Sequence, residues 1–442
     1  MAGKISTNPS MGFWRTWGLI VGMMIGSGIF MMPALLAPFG GLGLVSIVLT
    51  AGGTFLLALM YGRLAKAIPK IGGPYAYARE ALGDFAAFLT VWGYSISIWT
   101  AIPAVALACV GYLAVFIPGL VENKILAFAL EMFLIWSIIL LNVKGVKEAS
   151  IFQLATSILK IIPLILIAVI GVFQFTPAVM PDLNPAGDNM LTVLSAASAL
   201  TMWAFVGIEA ATIPAEDVIE PEKTLPRALF WSIVSVALIY FLATFGVMVL
   251  VPADVLISST SPFADAAVRI MGPVGEKVIA IGAVIAMISA INAMVLAGAQ
   301  TPLAAARDKL FPLPFAKMNK NATPAFSLYF AGVLSTIFLI MNMQSGLRSA
   351  FEFLLVLSTL SVVIPYAFSA VAEMVLIKKV GGKRQNSTMI LALGAFIYST
   401  WVIIGAGAET VMWGFVLLLV GMPIYAWLHV HYEENKDNKG IE

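Results

Sequence analysis

The chain has 442 residues, 61% of them hydrophobic and only 11% charged, with a mean hydropathy of +0.98. That composition excludes a soluble globular protein, while the formal net charge of +2 is uninformative because the charges are sorted along the chain. The single cysteine, Cys109, sits in an apolar run and the two histidines, His429 and His431, stand near the C-terminal end. A disulfide framework, a thiol metal site and a histidine-based catalytic or metal cluster are thereby excluded. No catalytic residue, metal or cofactor is expected, and no nucleic-acid partner.

In chain order, a short polar N-terminus (1–11) precedes an apolar run that continues past Pro33 without a cleavage site. A retained first helix is expected there, not a signal peptide. Runs of about 20 apolar residues cross a bilayer as helices. Twelve are predicted, at 12–38, 42–66, 84–117, 124–143, 151–173, 190–215, 227–251, 273–305, 326–342, 350–378, 388–405 and 409–430. The fold class expected is therefore an all-α membrane protein, with 431–442 as a solvated tail. With the N-terminus in the cytoplasm, twenty of the 25 Lys and Arg fall inside, four (Lys124, Arg269, Lys277 and Arg348) fall outside, and Lys160 is left within a helix. This sorting predicts that both termini are cytoplasmic.

Two spans are interrupted by glycine. The first break is Ile25-Gly26-Ser27-Gly28-Ile29 and the second is Phe205-Val206-Gly207-Ile208-Glu209. Non-helical backbone at membrane depth is tolerated only where it is buried or lines a cavity, so matched breaks point to a transporter with its substrate between them. Each break opens a set of five helices, 12–173 and 190–378, with 388–430 as two extra helices. Five is odd, so the second set enters the membrane inverted. At the first break, Ser27 and the free N–H groups of a half-helix N-terminus suit a carboxylate; the alternative is helix packing through the Gly22–Gly26 pattern. At the second break, carbonyls near Trp203, Val206 and Gly207 suit an ammonium. Together they describe a site for an α-amino acid.

Ionisable side chains inside a membrane are costly and mark function by default. Lys160 is the candidate for proton coupling, the alternative being a structural lysine on helix carbonyls. Glu209 is a candidate proton site, gate or attraction for cationic substrates. Glu131 is expected to snorkel or pair near the outer end, and Glu373 to be interfacial. Tyr94, Trp99 and Tyr366 are candidate gates, with plain packing as the alternative for each.

The motifs Ile25-Gly26-Ser27-Gly28-Ile29-Phe30, Gly72-Gly73-Pro74-Tyr75-Ala76-Tyr77, Trp203 to Glu209, Glu220-Pro221 with Leu225-Pro226, and Ser261-Pro262-Phe263 resemble those of the amino acid–polyamine–organocation superfamily. The chain is similar to its bacterial permeases around the arginine/agmatine antiporter and the putrescine/ornithine exchanger. The resemblance implies a LeuT-like fold with a 5+5 inverted repeat, alternating access, and a bacterial inner membrane location. It implies substrate contacts at Met24, Ile25, Gly26, Ser27, Gly28, Trp203, Val206 and Gly207. It also implies gates at Tyr94, Glu209 and Tyr366, and a coupling lysine at Lys160. The implied partners are an amino acid, protons and the lipid bilayer, with a homodimer left open. Ile102, Ala293 and Met23 depart from the arginine-binding cage of the arginine/agmatine antiporter. The expectation is accordingly proton-coupled uptake of neutral amino acids, with obligatory exchange of a basic amino acid for its decarboxylated amine as the alternative.

Overall fold

A computed structural model describes residues 11–68, 72–144, 160–175, 181–212, 218–380 and 385–437. In hydrocarbon the backbone must satisfy its own hydrogen bonds, and for a single chain of apolar runs the helix does so within each segment. The described helices are α1 (Phe13–Met24), α2 (Ser27–Leu36), α3 (Gly41–Ala67), α4 (Pro74–Leu82), α5 (Asp84–Leu113), α6 (Lys124–Lys144), α7 (Ile162–Phe173) and α8 (Met190–Phe205). They continue as α9 (Pro221–Leu250), α10 (Ala253–Ser258), α11 (Pro262–Arg307), α12 (Ala325–Asn342), α13 (Leu347–Val375), α14 (Ile377–Val380), α15 (Gln385–Gly405) and α16 (Ala408–Asp437). The described residues contain no strand beyond one bridge between Met11 and Val218.

Among the described residues, nine helices are long and apolar enough to span a membrane, and α1 with α2 forms a tenth span bent by 45°. The shorter apolar helices α7 and α8 occupy the places of the fifth and sixth expected spans; most of the fifth span before Lys160 lies outside the described residues. Burial varies by helix. The most apolar stretch of α5 is 94% buried and that of α16 only 17%. α5 is thus the central column, while Phe415, Val420 and Trp427 of α16 are exposed as lipid-facing side chains would be.

The stretch Pro262–Arg307 is broken at Gly272, where the backbone is non-helical at φ +65°, and this is where the eighth span is expected to begin. One expected boundary moves. The segment expected as a tail from 431 is helical to Asp437. Both prolines of the Glu220-Pro221 and Leu225-Pro226 motif are helical: Pro221 is the first residue of α9, where a missing N–H costs nothing, and Pro226 lies in its second turn.

Candidate functional site

Both glycine breaks interrupt helices, and a single cavity of about 50 Å³ is lined by residues from both. Met24, Gly26, Ser27 and Gly28 come from the first break, and Trp203, Val206, Gly207 and Glu209 from the second. Ile25 is buried away from the cavity. At the first break α1 ends at Met24 and α2 begins at Ser27, with no side chain capping the α2 N-terminus. Its first N–H groups have no intrahelical acceptor. The Ser27 hydroxyl is buried and has no hydrogen-bond partner among the described residues. An anion at this end would meet donors whose partners are otherwise missing.

At the second break Gly207 takes φ +106°, a region where a Cβ is strained, and the chain resumes as a 3-10 turn over Ile208–Thr212. Gly28 has a different reason to be glycine: a Cβ there would lie 2.9 Å from the Ala204 Cα and 2.9 Å from Trp203 Cδ1. The first break is therefore pressed directly against α8.

The breaks also orphan carbonyls. In a continuous helix the carbonyls of Gly22, Met24 and Ala204 would accept from N–H groups four residues on. Here Lys160, in a turn just before α7, donates to the Gly22 carbonyl and is fully buried. The Tyr240 hydroxyl of α9 lies 2.6 Å from the Met24 carbonyl oxygen and 3.0 Å from that of Ala204. One hydroxyl carries one proton, so it serves these two acceptors one at a time. Sequence reasoning missed Tyr240, because nothing marks it off from any other membrane tyrosine. The signal available was indirect: two breaks demand donors.

Glu209 is fully buried. Its Oε2 accepts a 2.5 Å hydrogen bond from the Tyr366 hydroxyl, while Oε1 has no partner among the described residues. Tyr94 lines the cavity with it; Tyr366 does not, and stands behind Glu209 against Tyr61, with ring centroids 5.7 Å apart. Trp99, a candidate gate, does not line the cavity and packs edge-on against Trp92 and Phe330. Glu209 is the one charged side chain among the described residues lining the cavity. Ser27, Tyr94 and Ser97 bring hydroxyls to the wall, and the remainder is mostly apolar, with Met23, Ile98, Ala101, Ala293 and Met294. Ile102 and Asn292 are not in it; Asn292 instead accepts from Asn142 at 2.9 Å.

Two carboxylates lie outside this cavity. Glu373 is fully buried, and both its oxygens accept from Arg63, at 2.5 and 2.9 Å. Its partner lies 310 residues away in sequence, beyond the reach of local spacing. Glu131 neither snorkels nor pairs: it is 3% exposed, with no ion pair to a described residue.

A family model described as amino acid permease matches residues 11–428. The provisionally named arginine/ornithine antiporter of Bacillus subtilis is 30% identical, over 96% of this chain and 98% of that protein. The putrescine transporter of Escherichia coli is 27% identical over 93% of this chain and 94% of its own. The cadaverine/lysine antiporter of Escherichia coli is 27% identical over 98% of each chain.

Proposed function

Because the chain belongs to the amino acid permease family, and so is a multi-pass transporter of amino acids or amines, we propose that it exchanges a basic amino acid for its decarboxylated amine. The observation that carries this reading is the unpartnered oxygen of Glu209, the one charged side chain among the described residues lining the cavity. A buried carboxylate with no cation beside it favours ligands that bring positive charge. A basic amino acid and its amine share a cationic end and a methylene chain, which Glu209 and the apolar wall would accommodate. The relatives named for ornithine, lysine, putrescine and cadaverine support the same choice over neutral substrates.

In this mechanism the α2 N-terminus and Ser27 hold the carboxylate of the amino acid. Carbonyls at the breaks, Met24 among them, hold the α-ammonium. The amine, lacking a carboxylate, forgoes the first contact. The Tyr366–Glu209 bond closes one end of the cavity and Tyr94 adjoins it, so release toward that end requires the bond to open. The Lys and Arg sorting supports cytoplasmic termini, and relatives from bacteria support the inner membrane.

Binding by the purified protein tests the substrate class. Glu209→Gln should weaken ornithine, lysine and their amines by about tenfold or more and leave leucine unaffected. Equal binding of leucine and lysine by the unaltered protein would contradict the assignment. Proton-coupled uptake is the second reading. It rests on Lys160, whose ammonium is buried against Gly22, and it requires accumulation that collapses with a protonophore.

A further inference from the structure

A second cavity, of about 40 Å³, lies among α5, α6, α12 and the turn into α13. Its wall includes Leu107, Lys124, Glu131, Asn342, Ser345 and Leu347. It is remote from the Tyr366–Glu209 bond. Leu347 and Tyr366 stand 19 residues apart on α13, about 28 Å at the rise of a helix.

Three features of this cavity point to one kind of ligand. Glu131 is 3% exposed, lines the space, and is hydrogen-bonded or ion-paired to no described residue. A buried carboxylate without compensation is costly. Second, α12 ends at Asn342, and Leu339 and Asn342 of its last turn line the cavity; a helix C-terminus is a negative pole. Third, the Asn342 amide nitrogen donates back to the Phe338 carbonyl at 2.9 Å, which leaves the amide oxygen as an acceptor. All three attract a cation. The cation nearest in sequence, Lys124, lies two turns before Glu131 on the same helix and lines the same space, yet its ammonium donates to the Gln344 carbonyl at 2.8 Å.

We propose that this cavity is a second binding site, for a primary ammonium group carried on an alkyl chain, with Glu131 as its anionic contact. The ammonium would sit between Glu131 and the C-terminal turn of α12, and its methylenes would run along Leu107, Phe128 and Leu339. A carboxylate entering the space would oppose Glu131, so an amine is favoured there over an amino acid. Lys124 acts as an internal competitor held to one side. The inference does not depend on exchange at the central site.

n-Butylamine binding to the full-length protein in nanodiscs tests it. In a Glu209→Gln background, which removes the charge of the central cavity, one butylamine site should remain. Adding Glu131→Gln should weaken that site by about tenfold or more, with no loss of thermal stability. Lys124→Met should tighten it by removing the competitor, a result that stands even if the Glu131 variant does not fold. Binding indifferent to both substitutions would overturn the proposal. Displacement of butylamine by an equal concentration of sodium would overturn it as well, by making the cavity an inorganic-cation site.

Discussion

Ser27 and Gly28 are neighbours with different jobs, and substitution separates them. The Ser27 hydroxyl has no partner among the described residues, so Ser27→Ala removes nothing from the fold. It should weaken a carboxylate-bearing substrate by about 1.5–3 kcal/mol, the range for a hydrogen bond to a charged group, and leave the melting temperature unchanged. A fall in melting temperature without a change in affinity would assign Ser27 to packing. Gly28→Ala is a packing test instead, because its Cβ would press on the Ala204 backbone. Overpacking of this kind costs about 1–3 kcal/mol, and unaltered stability would mean that α2 and α8 separate more readily than they are packed here. At this scale the sequence was legible wherever chemistry is local. Glycines within apolar runs marked the breaks, and a lysine and a glutamate at membrane depth marked themselves by their cost. The pairing of Glu373 with Arg63 was not legible, since a neighbouring Lys378-Lys379 suggested an interface and the real partner is remote.

At the scale of the element, a broken helix is stable only if its orphaned carbonyls find donors. Lys160 serves α1 through Gly22, and Tyr240 joins α1 to α8 through Met24 and Ala204. Tyr240→Phe keeps the ring, which packs edge-on against Phe205, but leaves two buried acceptors without their donor. The expected cost is about 1–3 kcal/mol, read as a lower melting temperature, together with a changed affinity for ammonium-bearing ligands because the Met24 carbonyl is released. Unchanged affinity would show that the carbonyl does not meet the substrate. The need for such donors follows from the breaks, but which residue supplies them does not. α9 brings Tyr240 to the site by packing, and no spacing rule within its own apolar run announces it.

For the molecule as a whole, the end that carries the Tyr366–Glu209 bond is tied by ion pairs between distant helices. Arg63 of α3 holds Glu373 of α13, Arg79 of α4 reaches Asp308 after α11 at 2.8 Å, and Lys379 of α14 meets Glu80 at 3.1 Å. The exposed pairs contribute little. The Arg63–Glu373 pair differs because its carboxylate is fully buried and bidentate, and removing one partner of such a pair is strongly destabilising. Glu373→Gln should speed amide hydrogen exchange at the adjoining ends of α3 and α13, and unchanged exchange would remove this pair from the closure. Composition and span length made the all-α membrane fold legible. Helix continuity out to Asp437 was not, since a hydropathy window stops where charge begins and helices do not. Exchange is turnover by the entire molecule, and uptake of labelled ornithine or lysine into proteoliposomes reads it. Uptake should appear only when the vesicles are preloaded with amino acid or amine, and should persist in a protonophore. Accumulation in empty vesicles under an inward proton gradient, abolished by the protonophore, would contradict exchange and return Lys160 to the centre of the mechanism.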